Sequence, residues 1–397
     1  MEERRVIYLD NNATTRVAPE VVEAMLPYFG EFYGNPSSIH RFGGQVAAKI
    51  EEARVRVAEL LGADYRDRDG YATEIIFTSC GTEGDNAAIH AALRALPERR
   101  KIVTTAVEHP AVLHYCEELA AQGFTVVKVP VDGRGRLDMA QLAAAVDEDT
   151  AVVSAMWGNN ETGTIFPVAE IAEIAHARGA YFHTDAVQAA GKVPVNAAAC
   201  GADFIAISGH KLHAPKGVGA LYIRRGIPFA PLICGGHQER MRRGGTENVA
   251  SIIGLGKACE LANSALAAEN AQLRKLRDAF EAKLLATIPR IRINGDLENR
   301  LPGTSSVSFE CIEGESILML LDVFGICASS GSACTTGSLE PSHVLRAMGV
   351  PYSAAHGTIR FSLSRYTTAE ELEFTAEKLP PIVARLREIS PYWREEK

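Results

Sequence analysis

The sequence predicts an α/β protein: a mostly parallel, buried sheet covered by helices, followed by a smaller α+β domain. Three observations carry this. From residue 74 onward short apolar runs alternate with helical patterns. Those runs are apolar on both faces rather than alternating, as expected of strands buried in a parallel sheet. After about residue 249 the alternation stops, and one long helical segment leads into shorter strands separated by helices.

The elements follow in order. Residues 74–78 (EIIFT) read as a strand and 81–96 as a helix. Residues 101–106 are a strand, and 110–123 a helix ending in Gly123. The run FTVVKVPV is the next strand. Residues 151–157 and 180–185 are strands flanking a helix over 168–179, and 203–208 and 219–223 are two more. The stretch from ASIIG to KLLA reads as one long connecting helix. Beyond it SSVSFE and TIRFSL are strands, and the polar segment 64–73 reads as a surface loop.

Composition narrows the function. With 47% hydrophobic and 23% charged residues the chain is not disordered, and its 397 residues suggest roughly two to three domains. Lys plus Arg number 41 against 49 Asp plus Glu, a net charge of −8, which argues against nucleic acid. No stretch approaches a membrane span. The eight cysteines show no C-x-x-C or zinc-ligand spacing, and the N-terminus shows no apolar export core. Free thiols in a reducing cytoplasm are the expectation.

Polar residues collect just beyond the strand ends, where a doubly wound sheet holds its ligand. Thr78 to Glu83 (TSCGTE) follows a strand and opens a helix, so backbone N–H groups at Gly81 and Thr82 could hold a phosphate; Thr82 as a plain helix cap explains the segment equally. Asp185 ends another strand, with Gln188 three residues on, and could pair with a protonated ring nitrogen. Lys211 follows a third strand among Ser208, Gly209 and His210. A desolvated lysine there can form a Schiff base. Anion site, acid and lysine after separate strands are the parts that a pyridoxal phosphate enzyme needs. His109 could stack on a cofactor ring, and Asn160 sits at another strand end. Arg360 lies in an apolar strand, facing either a substrate carboxylate or a structural acid. Cys334 stands in a run of small residues that has little to bury and predicts a mobile loop. Cys200, Cys259, Cys311 and Cys327 read instead as buried core thiols.

At these residues the chain resembles the cysteine desulfurases, in their NifS-like branch. The resemblance runs from YLDNNATT (8–15) through GNPSSIHRFG, TSCGTE, VEHPAV, NNETGT, HTDAVQAAGKVP, SGHKLHAPKG, GGTEN (244–248) and SSGSACTTGSLEPSHV to AAHGTIRFSLSRYTT (354–368). It implies a fold-type I pyridoxal 5'-phosphate enzyme, with a seven-stranded large domain over 15–258 and a small domain from 1–14 and 259–397. It implies conversion of L-cysteine to L-alanine, a homodimer, and a NifU-like or IscU-like iron–sulfur scaffold as partner, with nitrogenase one destination of the sulfur. Lys211 would then be the Schiff-base lysine, Asp185 the ring-nitrogen partner, His109 the stacking and proton-transfer residue, and Gln188 the contact to the phenolic oxygen. Gly81, Thr82, Ser208 and His210 match phosphate positions, with Thr246 supplied by the second subunit. Asn35, Asn160 and Arg360 match the substrate side, and Asn160 also the cofactor. Cys334 matches the persulfide-forming sulfur acceptor, which would transiently share iron during cluster handover. The segment 64–73 is longer than the family pattern. Two other readings use the same residues: an aminotransferase or selenocysteine-specific lyase, and a non-catalytic sulfur-delivery or scaffold protein.

Overall fold

The computed structural model describes residues 6–63, 65–330 and 340–394. A short strand, β1 (Ile7–Tyr8), comes first. Seven strands then form one sheet: β2 (Ile75–Thr78), β3 (Lys101–Thr105), β4 (Thr125–Val129), β5 (Thr150–Ser154), β6 (Tyr181–Asp185), β7 (Phe204–Ser208) and β8 (Gly219–Ile223). Their order across the sheet is β2-β8-β7-β6-β5-β3-β4. β3 to β7 run parallel, and β8 runs antiparallel to both of its neighbours. Every residue of β2, β5, β7 and β8 is buried, which is why these strands read as unbroken apolar runs. β4, at the edge, turns Thr125 and Lys128 outward, and a charged residue there discourages pairing with another chain.

Helices cover both faces. The helix Gly81–Ala95 lays Ala87, Ala88, Ile89, Ala91 and Ala92 on one face, with Ile76, Ile102, Phe204 and Leu221 beneath them. On the other face Phe77, Val103, Val153, Ile205 and Ile207 pack with the helices Arg41–Leu60 and Val168–Ala177. The long helix Val249–Thr287 lies against Arg41–Leu60. Contact is close at Gly256, where a Cβ would come within 2.6 Å of Ala53. Such small residues let the two backbones approach.

The rest of the chain builds a second sheet. β9 (Ile291–Asn294), β10 (Thr304–Phe309), β12 (Ser329–Ser330) and β13 (Thr358–Ser362) pair antiparallel in the order β12-β13-β10-β9. β11 (Ile326–Cys327) pairs in parallel with β1. Ile7 and Leu9 thus enter a separate core with Phe280, Leu284, Phe309, Phe361 and Leu379. The helix Ala369–Ile389 closes this core and starts with a capping box between Thr368 and Glu371.

Two cysteines depart from expectation. Cys200 and Cys259 are buried, but Cys311 and Cys327 are half-buried. Cys311 sits in a left-handed turn at φ 66°, and Cys327 lies in the two-residue strand β11 rather than in the core. No helix among the described residues is long and apolar enough to cross a membrane.

Candidate active site

The strand order changes direction between β3 and β5, and the C-terminal ends of the parallel strands open there into a cavity of about 530 Å³. Gly81, Thr82, His109, Asn160, Asp185, Gln188, Ser208, His210, Lys211 and Arg360 all line it. They arrive from six separate segments of the chain, and the fold brings them together.

Lys211 ends a single 3-10 turn (Gly209–Lys211) that follows β7 directly. Its Nζ donates to the carbonyls of Asn12 (2.6 Å) and Ala13 (2.7 Å). His210 Nδ1 lies 3.2 Å from Thr14 Oγ1. Burial pushes the His210 imidazole down to about 4, with Lys211 the next cause, so it is neutral at pH 7. Asp185 is the last residue of β6, and its Oδ1 accepts the Val187 N–H at 2.8 Å. Burial raises its carboxyl to about 6, against the pull of the Val187 N–H and Lys211. Gln188 donates from Nε2 to the Asn12 carbonyl (2.9 Å) and accepts at Oε1 from Lys192 Nζ (2.6 Å).

His109 caps the helix Pro110–Ala121 by accepting the Ala111 N–H at Nδ1 (3.1 Å). Burial pushes its pKa down to about 4. A neutral ring that accepts at Nδ1 carries its proton on Nε2. Arg360, at the centre of β13, is 2% exposed. It donates from Nη2 to Asp10 Oδ1 (2.9 Å) and from Nη1 to the Asn160 carbonyl (3.1 Å), while Nε has no partner among the described residues. The ion pair expected as one reading of Arg360 is present, and the Nε donor leaves the substrate-carboxylate reading open.

Other expected residues stand apart. Asn35 is exposed, and its Oδ1 accepts the Ser37 N–H inside a turn rather than facing the cavity. Thr246 is exposed on this single chain. Cys334 lies outside the described residues. Several lining residues were not named from the sequence: Asn12, Cys80, Asp85 and Glu161. Asn12 belongs to the LDNNATT segment, whose polar run after an apolar strand was the available signal. Glu161 is buried and accepts from Ser342 Oγ at 2.5 Å. Burial raises its carboxyl to about 7.

The donor set fits pyridoxal phosphate. The helix Gly81–Ala95 starts at Cys80 with no side-chain cap, so Thr82 is not the cap residue and the first N–H groups remain for an anion. A Cβ on Gly81 would stand 2.7 Å from Val187 and 3.5 Å from Ser208, so glycine keeps this cradle open. An amine for the aldehyde, an acid for the ring nitrogen, an amide N–H for the phenolic oxygen and a flat imidazole surround one space. The family model for class-V aminotransferases matches residues 7–374.

The chain belongs to the class-V aminotransferases, in their NifS-like cysteine desulfurase branch. It is 58% identical over 387 residues to the cysteine desulfurase NifS of Azotobacter vinelandii, covering 98% of this chain and 95% of that protein. A solved NifS-like protein superposes with a TM-score of 0.89 at 40% identity, covering 96% of this chain and all of the other. SspA, solved in complex with cysteine, superposes at 0.79 with 32% identity, over 91% of this chain and all of SspA. Members of this family use pyridoxal phosphate, so the cofactor suggested by the donor set and the cofactor of the family agree.

Proposed function

We propose that this chain is a pyridoxal phosphate-dependent cysteine desulfurase in which Lys211, Asp185 and His109 serve the cofactor and Cys334 takes the sulfur. The enzyme converts L-cysteine to L-alanine and supplies sulfur for iron–sulfur assembly. The observation that carries the residue roles is the convergence of Lys211, Asp185 and His109, from the ends of three parallel strands, on one cavity beside an uncapped helix start.

In this reading Lys211 Nζ would hold the cofactor through its aldehyde, and Asp185 would pair with the ring nitrogen. His109 stacks on the ring, and Gln188 donates to the phenolic oxygen. Gly81, Thr82, Ser208 and His210 hold the phosphate, with Thr246 of a second copy completing it. When bound, the cofactor supplies an electron sink for charge developing at the substrate Cα. Arg360 binds the substrate carboxylate with its spare donors, beside Asn160. Lys211 Nζ, beside the reacting carbon, would take the Cα proton. The proton on His109 Nε2 is placed for delivery into the cavity. Cys334, as thiolate, attacks the substrate sulfur: an S–S bond forms, the C–S bond breaks, and the electron pair stays with carbon. A free thiol has a pKa of about 8.5, so Cys334 must lose its proton locally. The persulfide is then passed on, in our reading to a scaffold of NifU or IscU type in the cytoplasm.

We further read the protein as a homodimer, with residues 15–258 as the large domain and 1–14 with 259–397 as the small one. The separate core that joins Ile7 and Leu9 to Phe280 and Phe361 supports that division. The test of the site is Lys211→Ala. It should give a folded, colourless protein with no imine reducible by borohydride. A reducible imine at another lysine would refute the assignment.

A further inference from the structure

Three buried carboxyl groups from separate elements lie close enough to influence one another: Asp185 and Asp85 line the cavity, and Glu108 stands behind it. Asp185 ends β6, Asp85 lies in the helix Gly81–Ala95, and Glu108 follows β3; they are 7%, 1% and 0% exposed. Their partners differ. Asp185 Oδ1 accepts a backbone N–H. Glu108 Oε1 accepts the Thr105 hydroxyl (2.7 Å) and the Met156 N–H (2.9 Å), while its Oε2 has no partner. Asp85 Oδ1 accepts no hydrogen bond from the described residues. Its Oδ1 lies 3.4 Å from His183 Nε2, and both atoms are without a hydrogen-bond partner. His183 is fully buried on β6, two residues before Asp185 and so on the same face, and its Nδ1 lies 2.9 Å from Ser154 Oγ.

Three carboxylates in one dry site cannot all be ionised, and the proton settles where the anion is least supported. Asp185 has an N–H donor, Lys211 nearby and, in our reading, a cationic ring nitrogen. Asp85 has none of these. Burial raises its pKa well above the usual range, and Asp185, Glu108 and Cys80 add to the effect. His183 is held neutral, its pKa pushed by burial down to about 3, and so offers a lone pair rather than a positive charge.

We propose that Asp85 is a positioning residue that is itself protonated in this acid cluster and directs its proton at His183 Nε2, leaving Asp185 as the ionised carboxylate that faces the cofactor ring. His183 then keeps its own proton on Nδ1 and donates a hydrogen bond to Ser154 Oγ. Asp85 touches no reacting atom; it acts through Asp185 by withholding a second negative charge. The proposal rests on the reading of Asp185 as the ring-nitrogen partner.

The test uses both cofactor-free and cofactor-loaded protein. Infrared spectra of the cofactor-free wild type at pH 7 should show the C=O stretch of protonated carboxylic acid, and Asp85→Asn should remove one component of it. Absence of any protonated-acid band in the wild type overturns the proposal, whether or not the variant folds, and so does a band unchanged in the variant. In loaded protein the pH midpoint of the cofactor absorbance should be the same in Asp85→Asn as in wild type, because an amide replaces a neutral acid. A midpoint lowered by about one unit or more, the effect of deleting a nearby buried negative charge, overturns the proposal. Asp185→Asn separates the two readings. A loaded spectrum identical to wild type would refute Asp185 as ring partner, and with it the second half of the proposal, while the infrared band still decides the state of Asp85.

Discussion

Replacing Arg360 with Met removes a guanidinium that is 2% exposed and joined to Asp10 at 2.9 Å and to the Asn160 carbonyl at 3.1 Å. Two consequences should follow. The first is structural. Breaking a buried ion pair costs about 3–5 kcal/mol, and the lower end applies because the Asp10 side chain is 20% exposed. The second is functional. A charge-assisted contact to the substrate carboxylate contributes about 1.5–3 kcal/mol, so kcat/KM for cysteine should fall roughly 10- to 150-fold. The two separate in the double variant Asp10→Asn/Arg360→Met, which leaves no unpaired carboxylate. Its melting temperature should recover towards wild type, while kcat/KM stays low. Alanine formation over a range of cysteine concentrations gives the kinetic term, and thermal unfolding gives the stability. If kcat/KM recovers together with stability, Arg360 is a structural partner of Asp10 and does not bind substrate.

Glu108, fully buried and raised to about 8, should make the cofactor-free protein less stable as the pH rises. The folded state holds this proton after the unfolded chain has lost it, so the stabilisation is complete below the unfolded value near 4.5 and fades as the pH passes through about 8. Between pH 6.5 and 8 the loss is roughly 1.5–2 kcal/mol, and Glu108→Gln should remove that share of the slope in thermal melts. A slope unchanged in the variant would mean that Glu108 is already ionised. His109, His183 and His210 act with the opposite sign, but below about pH 6.5, where only their unfolded forms gain protons. Thr246→Ala should weaken cofactor binding in equilibrium dialysis with dimer mass unchanged by ultracentrifugation; unchanged affinity would remove Thr246 from the phosphate site.

The large sheet was legible because its strands are buried on both faces and bounded by turn residues. β2 to β8 all coincide with the apolar runs that forecast them, six within a residue or two at each end and β5 ending three residues early. The helix Met139–Ala145 was not foreseen, since only Leu142 is buried and the pattern carries no apolar stripe. Lys211, Asp185 and His109 were visible because each stands at, or within four residues of, the end of a strand. Asn12 and Asp10 were harder. They reach the cavity only because β1 pairs with β11 some 319 residues later and brings the N-terminal segment across to Lys211 and Arg360. Asp85 looked like an ordinary polar residue in a helix. Its meaning comes from the acids on neighbouring strands, which no local window contains.

The central claim is a division of labour: the cavity around Lys211 and Asp185 prepares the substrate, and Cys334 removes its sulfur. Cys334→Ser tests this most directly, with alanine and sulfide measured from cysteine while the cofactor spectrum is followed. The variant should keep its fold and colour and still change its spectrum on adding cysteine, because those steps need only the cavity. A hydroxyl cannot hold a persulfide, so sulfide and alanine should fall to background. Near-normal sulfide from the Ser variant would contradict the account and turn attention to Cys327.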